Sequence, residues 1–284
     1  MKRLPLTLAA LTLAIGVPAA GAAAAVPAFK HVVVVVFENH EANNVLGTAD
    51  APTFDELAKR YAVIDDYEAI THPSLPNYLA LVSGSTQGIA NDCTDCTAPG
   101  PSLADTLEAA GKTWKTYAEG IPHAGFTGAT SGRYAKKHDP FLYFPSVASN
   151  RSRRARIVGL PQLASDVRAN TLPTFSLVVP DLCNDMHNCS VRTGDTWLKQ
   201  QIVPLLSSPA LSGGVVFVVF DEGTSDLGGG GRVAALALGP LVKRGGHATA
   251  PTSHYGLLKT IEAGLKLPVL GASRGARPIV GIWR

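Results

Sequence analysis

Charge is scarce in this sequence. Only 17% of the 284 residues are Asp, Glu, Lys or Arg, and the formal net charge is +3. Two of the positive residues, Lys2 and Arg3, fall in a candidate leader, and subtracting them leaves +1 for the rest of the chain. That balance carries no bulk electrostatic signature of nucleic-acid binding. Beyond the leader there is no apolar run long enough to span a bilayer, because the valine runs are strand-sized. No internal repeat and no long disordered linker are present. The Gly228–Gly231 run lacks the Gly-Lys-Ser/Thr ending of a phosphate-binding P-loop and reads as a flexible loop over a site. No histidine pair has the His-Glu-x-x-His spacing of a zinc protease.

Cysteine is also sparse, with four residues in two close pairs, Cys93/Cys96 and Cys183/Cys189. The leader gives the context for reading them. Lys2-Arg3 is a basic start, Leu4 to Val17 is apolar, and small residues run to Ala25. This is the pattern of a secretory signal over residues 1–25, followed by a single domain over 26–284. An uncleaved anchor is the alternative. Export favours disulfides, and two local loops are the simplest of the possible connectivities. A zinc site is the rival reading of Cys93-Thr-Asp-Cys96, but Cys183/Cys189 has wider spacing than a zinc ribbon uses.

The remaining pattern alternates strand and helix, which points to an α/β domain with a largely parallel sheet. His31–Phe37 and Val215–Phe220 are apolar on both faces, as strands covered on both sides must be. Further strands are expected at Thr113–Tyr117, Phe175–Val179 and Val233–Leu238. Helices are expected at Thr53–Tyr61, with Thr53 as cap and Glu56 completing a capping box, and at Pro76–Ser83, Ser102–Ala110, Thr196–Leu206 and Tyr255–Gly264. Periodicity fades between residues 120 and 160, which reads as an irregular insertion over one sheet edge. The arginines of 151–156 within it read as a solvated surface.

Two of the buried strands run straight into polar groups: Glu38-Asn39 after the first, Asp221-Glu222 after Phe220. Adjacent carboxylates at a buried strand end repel each other and lose hydration unless a counter-charge is present. Parallel sheets bind ligands beyond their carboxyl ends. Glu38, Asn39, Asp221 and Glu222 therefore form a candidate site for a divalent cation, and oxygen donors favour calcium, magnesium or manganese. Helix capping or exposure to water is the alternative for each end taken alone. Ser74, between two prolines in His72-Pro-Ser-Leu-Pro-Asn77, stands at a helix entrance. It reads equally as a helix cap or as a nucleophile beside a metal. His187 and His254 are candidates for phosphoryl contact or for protonating a leaving group.

Taken together, Phe37-Glu-Asn39, His72-Pro-Ser-Leu-Pro-Asn-Tyr-Leu-Ala-Leu-Val-Ser-Gly84, Lys137-His-Asp-Pro-Phe141, Pro180-Asp-Leu-Cys-Asn-Asp-Met-His187, Phe220-Asp-Glu-Gly223 and His254-Tyr-Gly-Leu-Leu-Lys-Thr-Ile-Glu262 resemble one family. It is the phosphoesterase family of secreted acid phosphatases and phospholipases C, within the alkaline phosphatase-like superfamily. The resemblance implies a three-layer α/β/α sandwich and a phosphoserine mechanism. It makes Ser74 the nucleophile and gives the metal to Glu38, Asn39, Asp221 and Glu222. It places His187 and His254 at the chemistry and His138, Asn77, His72 and Asp181 at the substrate. A secreted acid phosphatase acting on small phosphate monoesters is the leading expectation, since the chain lacks the extra C-terminal domains common in the phospholipases C. A phospholipase C-type diesterase is the alternative, and an exported non-catalytic metal-binding module the third.

Overall fold

The computed structural model describes residues 25–284, so nearly all of the expected leader lies outside the described residues. Eight strands make the main sheet: β1 (His31–Phe37), β2 (Ala62–Ile64), β3 (Trp114–Ala118), β4 (Ile157–Gly159), β5 (Phe175–Val179), β6 (Gly214–Phe220), β7 (Ala235–Leu238) and β8 (Gly246–Ala248). Their spatial order is β8-β2-β7-β6-β1-β5-β3-β4. β1 lies between β6 and β5 and is parallel to both. Only β7 runs against its neighbours β6 and β2. The sheet is thus mixed but mostly parallel.

Helices cover both faces. Pro52–Arg60 packs with Val191–Gln201, while Ser74–Ser83 packs with His254–Leu265. Phe37 marks the first face: its ring lies 5.4 Å from that of Phe54 and 5.8 Å from that of Trp197. Side chains alternate across a strand, so the residue after Phe37 points to the other face, where the Ser74–Ser83 helix lies. The same alternation turns Asp221 away from Phe220, whose ring faces Phe54 at 6.0 Å. The register pairs Phe37 with Phe220, which sets Glu38 and Asp221 side by side at the carboxyl edge. One continuous cluster of buried apolar side chains joins the sheet to both helical layers.

Several local expectations need correction. Thr53 does not cap its helix. Asp195 does so from the neighbouring helix, its Oδ1 accepting from Thr53 N at 2.8 Å and Phe54 N at 3.1 Å. The helix expected at Thr196–Leu206 spans Val191–Gln201 instead, and Val203–Ser207 follows as a 3-10 turn. Pro204 explains the break, since it lacks the N–H an α-helix needs. The Gly228–Gly231 run is a packed turn, not a loose loop. A side chain at Gly229 or Gly230 would collide with the backbone of Ile70 and Thr71, and Gly229 has φ +105°. Within the 120–160 stretch, β4 joins the main sheet and forms its edge. The four cysteines are joined as Cys93–Cys96 and Cys183–Cys189. No helix among the described residues is long and apolar enough to cross a membrane.

Candidate active site

Ser74 opens the Ser74–Ser83 helix directly beneath the carboxyl ends of β1 and β6. Its Oγ donates to Glu38 Oε2 at 3.0 Å and lies 3.4 Å from Glu222 Oε1. Glu38 Oε1 accepts from Tyr78 Oη at 2.5 Å, one helical turn further on. Asn39 stands in the left-handed region with φ 56°, a conformation asparagine tolerates better than most residues. Its backbone N–H donates to Asp221 Oδ1 at 3.2 Å. Ser74, Glu38, Asn39, Asp221 and Glu222 therefore converge, although 36 to 148 positions separate the serine from its carboxylates.

The cluster is short of positive charge. Glu38 and Asp221 are fully buried, and burial pushes both carboxyls well above the usual range. Asp185 adds to the rise at Glu38, and Glu38 and Glu222 add to the rise at Asp221. Asp185 itself is pushed up to about 8 by burial, with further repulsion from Asp221. Burial also lifts Glu222, although His72 pulls the other way through a 2.5 Å contact from Nδ1 to Oε2. Burial alone would lower the His72 imidazole; the Ser225 carbonyl and Glu222 outweigh it and leave it raised. Asp221 Oδ2, Asp185 Oδ2 and His138 Nε2 are buried with no hydrogen-bond partner. Orphaned acceptors among mutually repelling acids are the donor set that a divalent cation satisfies.

Nitrogen donors lie close by as well. One ligand atom each of Glu38, His138 and His187 fall within 4.8 Å of one another. His138 is stacked on Tyr78, with centroids 5.2 Å apart, and lies 3.3 Å from both Glu38 Oε1 and Asp185 Oδ2. Burial, with Lys137 and His187 nearby, holds its pKa well below the usual histidine value. Glu38 thus belongs both to the oxygen cluster and to this second group of possible donors.

Three residues expected at the substrate or the chemistry do other work. His254 is fully buried, with Nε2 2.6 Å from the Asp221 carbonyl and Nδ1 2.9 Å from Tyr67 Oη. Both ring nitrogens are engaged and burial lowers its pKa to about 4, so it braces the strand end and has no free nitrogen for a phosphate. Asp181 caps a turn, its Oδ1 accepting from Cys183 N at 3.0 Å and Asn184 N at 2.9 Å. Asn77 spends its amide on the loop before the serine: Oδ1 accepts from Ile70 N and Thr71 N, and Nδ2 donates to Thr71 O at 2.7 Å. His72 and His187 do stand at the cluster. Sequence reasoning missed Tyr78 and Asp185, both inside quoted segments, and Asp92, which carried no local signal. A cavity of about 420 Å³ runs between Glu41, Leu46, Val63, Leu227 and Arg232, and Ser74 does not line it.

The fold is an α/β sandwich of the alkaline phosphatase-like kind, and the family and relatives that follow make the chain a hydrolase of phosphate esters. The model of the phosphoesterase family matches residues 49–268, and the chain belongs to that family. The phosphatidylinositol-3-phosphatase of Mycobacterium tuberculosis is 36% identical over 269 residues, 94% of this chain and 87% of that protein. A probable acid phosphatase of Kluyveromyces lactis is 28% identical over 267 residues, 90% of this chain but only 62% of its own length. Among solved structures, an alkaline phosphatase superfamily protein of Vibrio parahaemolyticus superposes with TM-score 0.61. That likeness covers 86% of this chain and 68% of the other at 15% identity, and it speaks for the fold alone.

Proposed function

We propose that this chain is an exported, divalent-cation-dependent acid phosphatase that cleaves phosphate monoesters through a phosphoserine at Ser74. The observation that carries the reading is Ser74 Oγ at a helix N-terminus, 3.0 Å from Glu38 and 3.4 Å from Glu222, with the orphaned Asp221 Oδ2 in the same cluster. Glu38, Asn39, Asp221 and Glu222 would hold the cation, with His138 and His187 at its flank. When bound, the cation would supply Lewis-acid stabilisation of charge on oxygen.

The serine hydroxyl is bonded to two carboxylates, and either can take its proton as Oγ attacks phosphorus. The P–O bond to the alcohol breaks, and the alcohol leaves with a proton from a neighbouring acid or water. Water then attacks the phosphoserine, releasing inorganic phosphate and returning the proton to Oγ. The Ser74–Ser83 helix points its N-terminal dipole at the incoming anion.

Both relatives described above are named phosphatases, which supports monoester over diester cleavage. The two disulfides fit an oxidising compartment. The test is product analysis with vesicles containing phosphatidylinositol 3-phosphate and lecithin, and with small monoesters, after reconstitution with a divalent cation. Release of inorganic phosphate without diacylglycerol is expected. Diacylglycerol as the main product would replace the monoesterase reading with a phospholipase C.

A further inference from the structure

Two charged residues remain outside that mechanism. Asp92 and Lys137 are 45 positions apart, and Lys137 Nζ donates to Asp92 Oδ2 at 2.8 Å. The other oxygen of the same carboxylate, Oδ1, accepts from Leu75 N at 3.0 Å, the amide next to the nucleophile. On its far side Lys137 Nζ lies 3.3 Å from His187 Nε2. His187 Nδ1 is 2.8 Å from Asn188 Oδ1, which can only accept, so Nδ1 carries the proton and Nε2 offers its lone pair to the lysine. The ammonium is thus fixed from two sides, beside the entrance of the serine helix. With side-chain exposures of 20% and 28%, Lys137 and Asp92 are both reachable from solvent.

A dianionic phosphate must approach Glu38, Asp185, Asp221 and Glu222, and these acids repel it. His72, a cation when protonated, already has Nδ1 committed to Glu222. Lys137 carries an ammonium, and Asp92 Oδ2 holds its Nζ at 2.8 Å. Such a group binds anions and is a poor proton donor. Lysine is also a compact point charge of the kind that serves phosphate in other sites.

We propose that Lys137 binds a non-bridging oxygen of the substrate phosphate, exchanging its contact with His187 for the phosphate, and that Asp92 is the positioning residue that holds it there. The proposal rests on Ser74 as the site of phosphoryl transfer, but it can fail separately. The test uses full-length protein reconstituted with a divalent cation, p-nitrophenyl phosphate as substrate and inorganic phosphate as competitive inhibitor. Removing one charge-assisted bond in Lys137→Met should raise KM and the inhibition constant of phosphate about 10- to 100-fold. The kcat should change far less, because the contact exists in ground and transition states alike. Lys137→Arg should recover part of the loss. Asp92→Asn keeps an acceptor for Leu75 N and weakens only the lysine anchor, so it should give a smaller rise of the same kind. A folded Lys137→Met protein with an unchanged inhibition constant for phosphate would overturn the proposal. If Lys137→Met does not fold, unchanged phosphate inhibition in both Lys137→Arg and Asp92→Asn would overturn it equally. Ser74→Ala reports on the nucleophile independently, since phosphate binding to Lys137 does not need the hydroxyl.

Discussion

Two charge clusters stand at opposite extremes in this molecule. On the surface, Arg153 meets Asp105 and Glu108 at 2.7 Å each, and Arg156 meets Glu108 at 2.5 Å. Asp105 is held below the usual carboxylate range: burial would lift it, but the Ser102 backbone and Arg153 outweigh that. Its charges are matched, and its partners are complete. At the carboxyl ends of β1 and β6, by contrast, Glu38, Asp185, Asp221 and Glu222 crowd together, all with raised pKa values and some with orphaned oxygens. Like charge that the protein does not neutralise itself calls for something that binds there. The surface network calls for nothing, and its Arg153 is bound to Asp105 and Glu108 rather than simply solvated.

The sharpest way to break this contrast is to remove the nucleophile. Ser74→Ala should fold normally, with an unchanged thermal midpoint, and lose at least about a thousandfold in kcat. Near-normal turnover in the folded variant would end the covalent mechanism. Next in size is the cation. Chelation should abolish turnover, and Asp221→Asn should weaken divalent-cation binding about tenfold or more in a calorimetric titration, since it removes one charge from the donor set. Tight binding unchanged by that substitution would put the cation elsewhere.

The acids also predict a pH dependence that needs no activity assay. Unfolded, Asp185 should ionise near the ordinary value of about 3.9. Folded, it ionises at about 8. Between those values the folded chain keeps a proton that the unfolded chain has lost, so stability falls as pH rises through the window. Glu38 and Asp221 shift in the same direction. Chelated protein should therefore melt at a lower temperature at pH 8 than at pH 5, and added divalent cation should raise the midpoint more at pH 8. A midpoint that climbs with pH in the chelated protein would contradict the assignment.

Smaller effects follow from the loops and the surface. The Cys183–Cys189 loop carries Asp185 and His187 but closes only six positions, so its entropic contribution to global stability is modest. Cys183→Ser/Cys189→Ser should lose activity severalfold before the melting temperature moves much, and full turnover with a normal KM would refute that. Arg153→Ala should leave kcat unchanged and cost under about 1 kcal/mol per lost pair in denaturant unfolding.

How much of this was legible in the sequence depended on distance along the chain. The switch from apolar strand to carboxylate at Phe37-Glu38 and Phe220-Asp221 is local, so it marked the site. The helix entrance at Ser74 and the close cysteine pairs are local as well. Groups whose partners lie far away were unreadable. The Asp195 cap joins helices about 140 positions apart. Asp92 meets Lys137 across 45 positions, and nothing near either residue announces the other. His254 belonged to a quoted segment, but its direction was set by Tyr67 and the Asp221 carbonyl, which pull the ring away from the open site. The strand at Ala235–Leu238 was visible from its apolar run, whereas its antiparallel direction is a matter of pairing with a strand elsewhere in the chain, which the run itself does not encode.

The central claim is that phosphoryl groups pass through Ser74, and the stereochemical course of transfer tests it most directly. A phosphate monoester made chiral at phosphorus with oxygen isotopes is presented to the cation-loaded enzyme together with an alcohol acceptor, and the configuration of the transferred phosphate is read by NMR. Two successive in-line displacements, first by Ser74 and then by the acceptor, predict net retention. Net inversion would mean a single direct displacement and would contradict the phosphoserine.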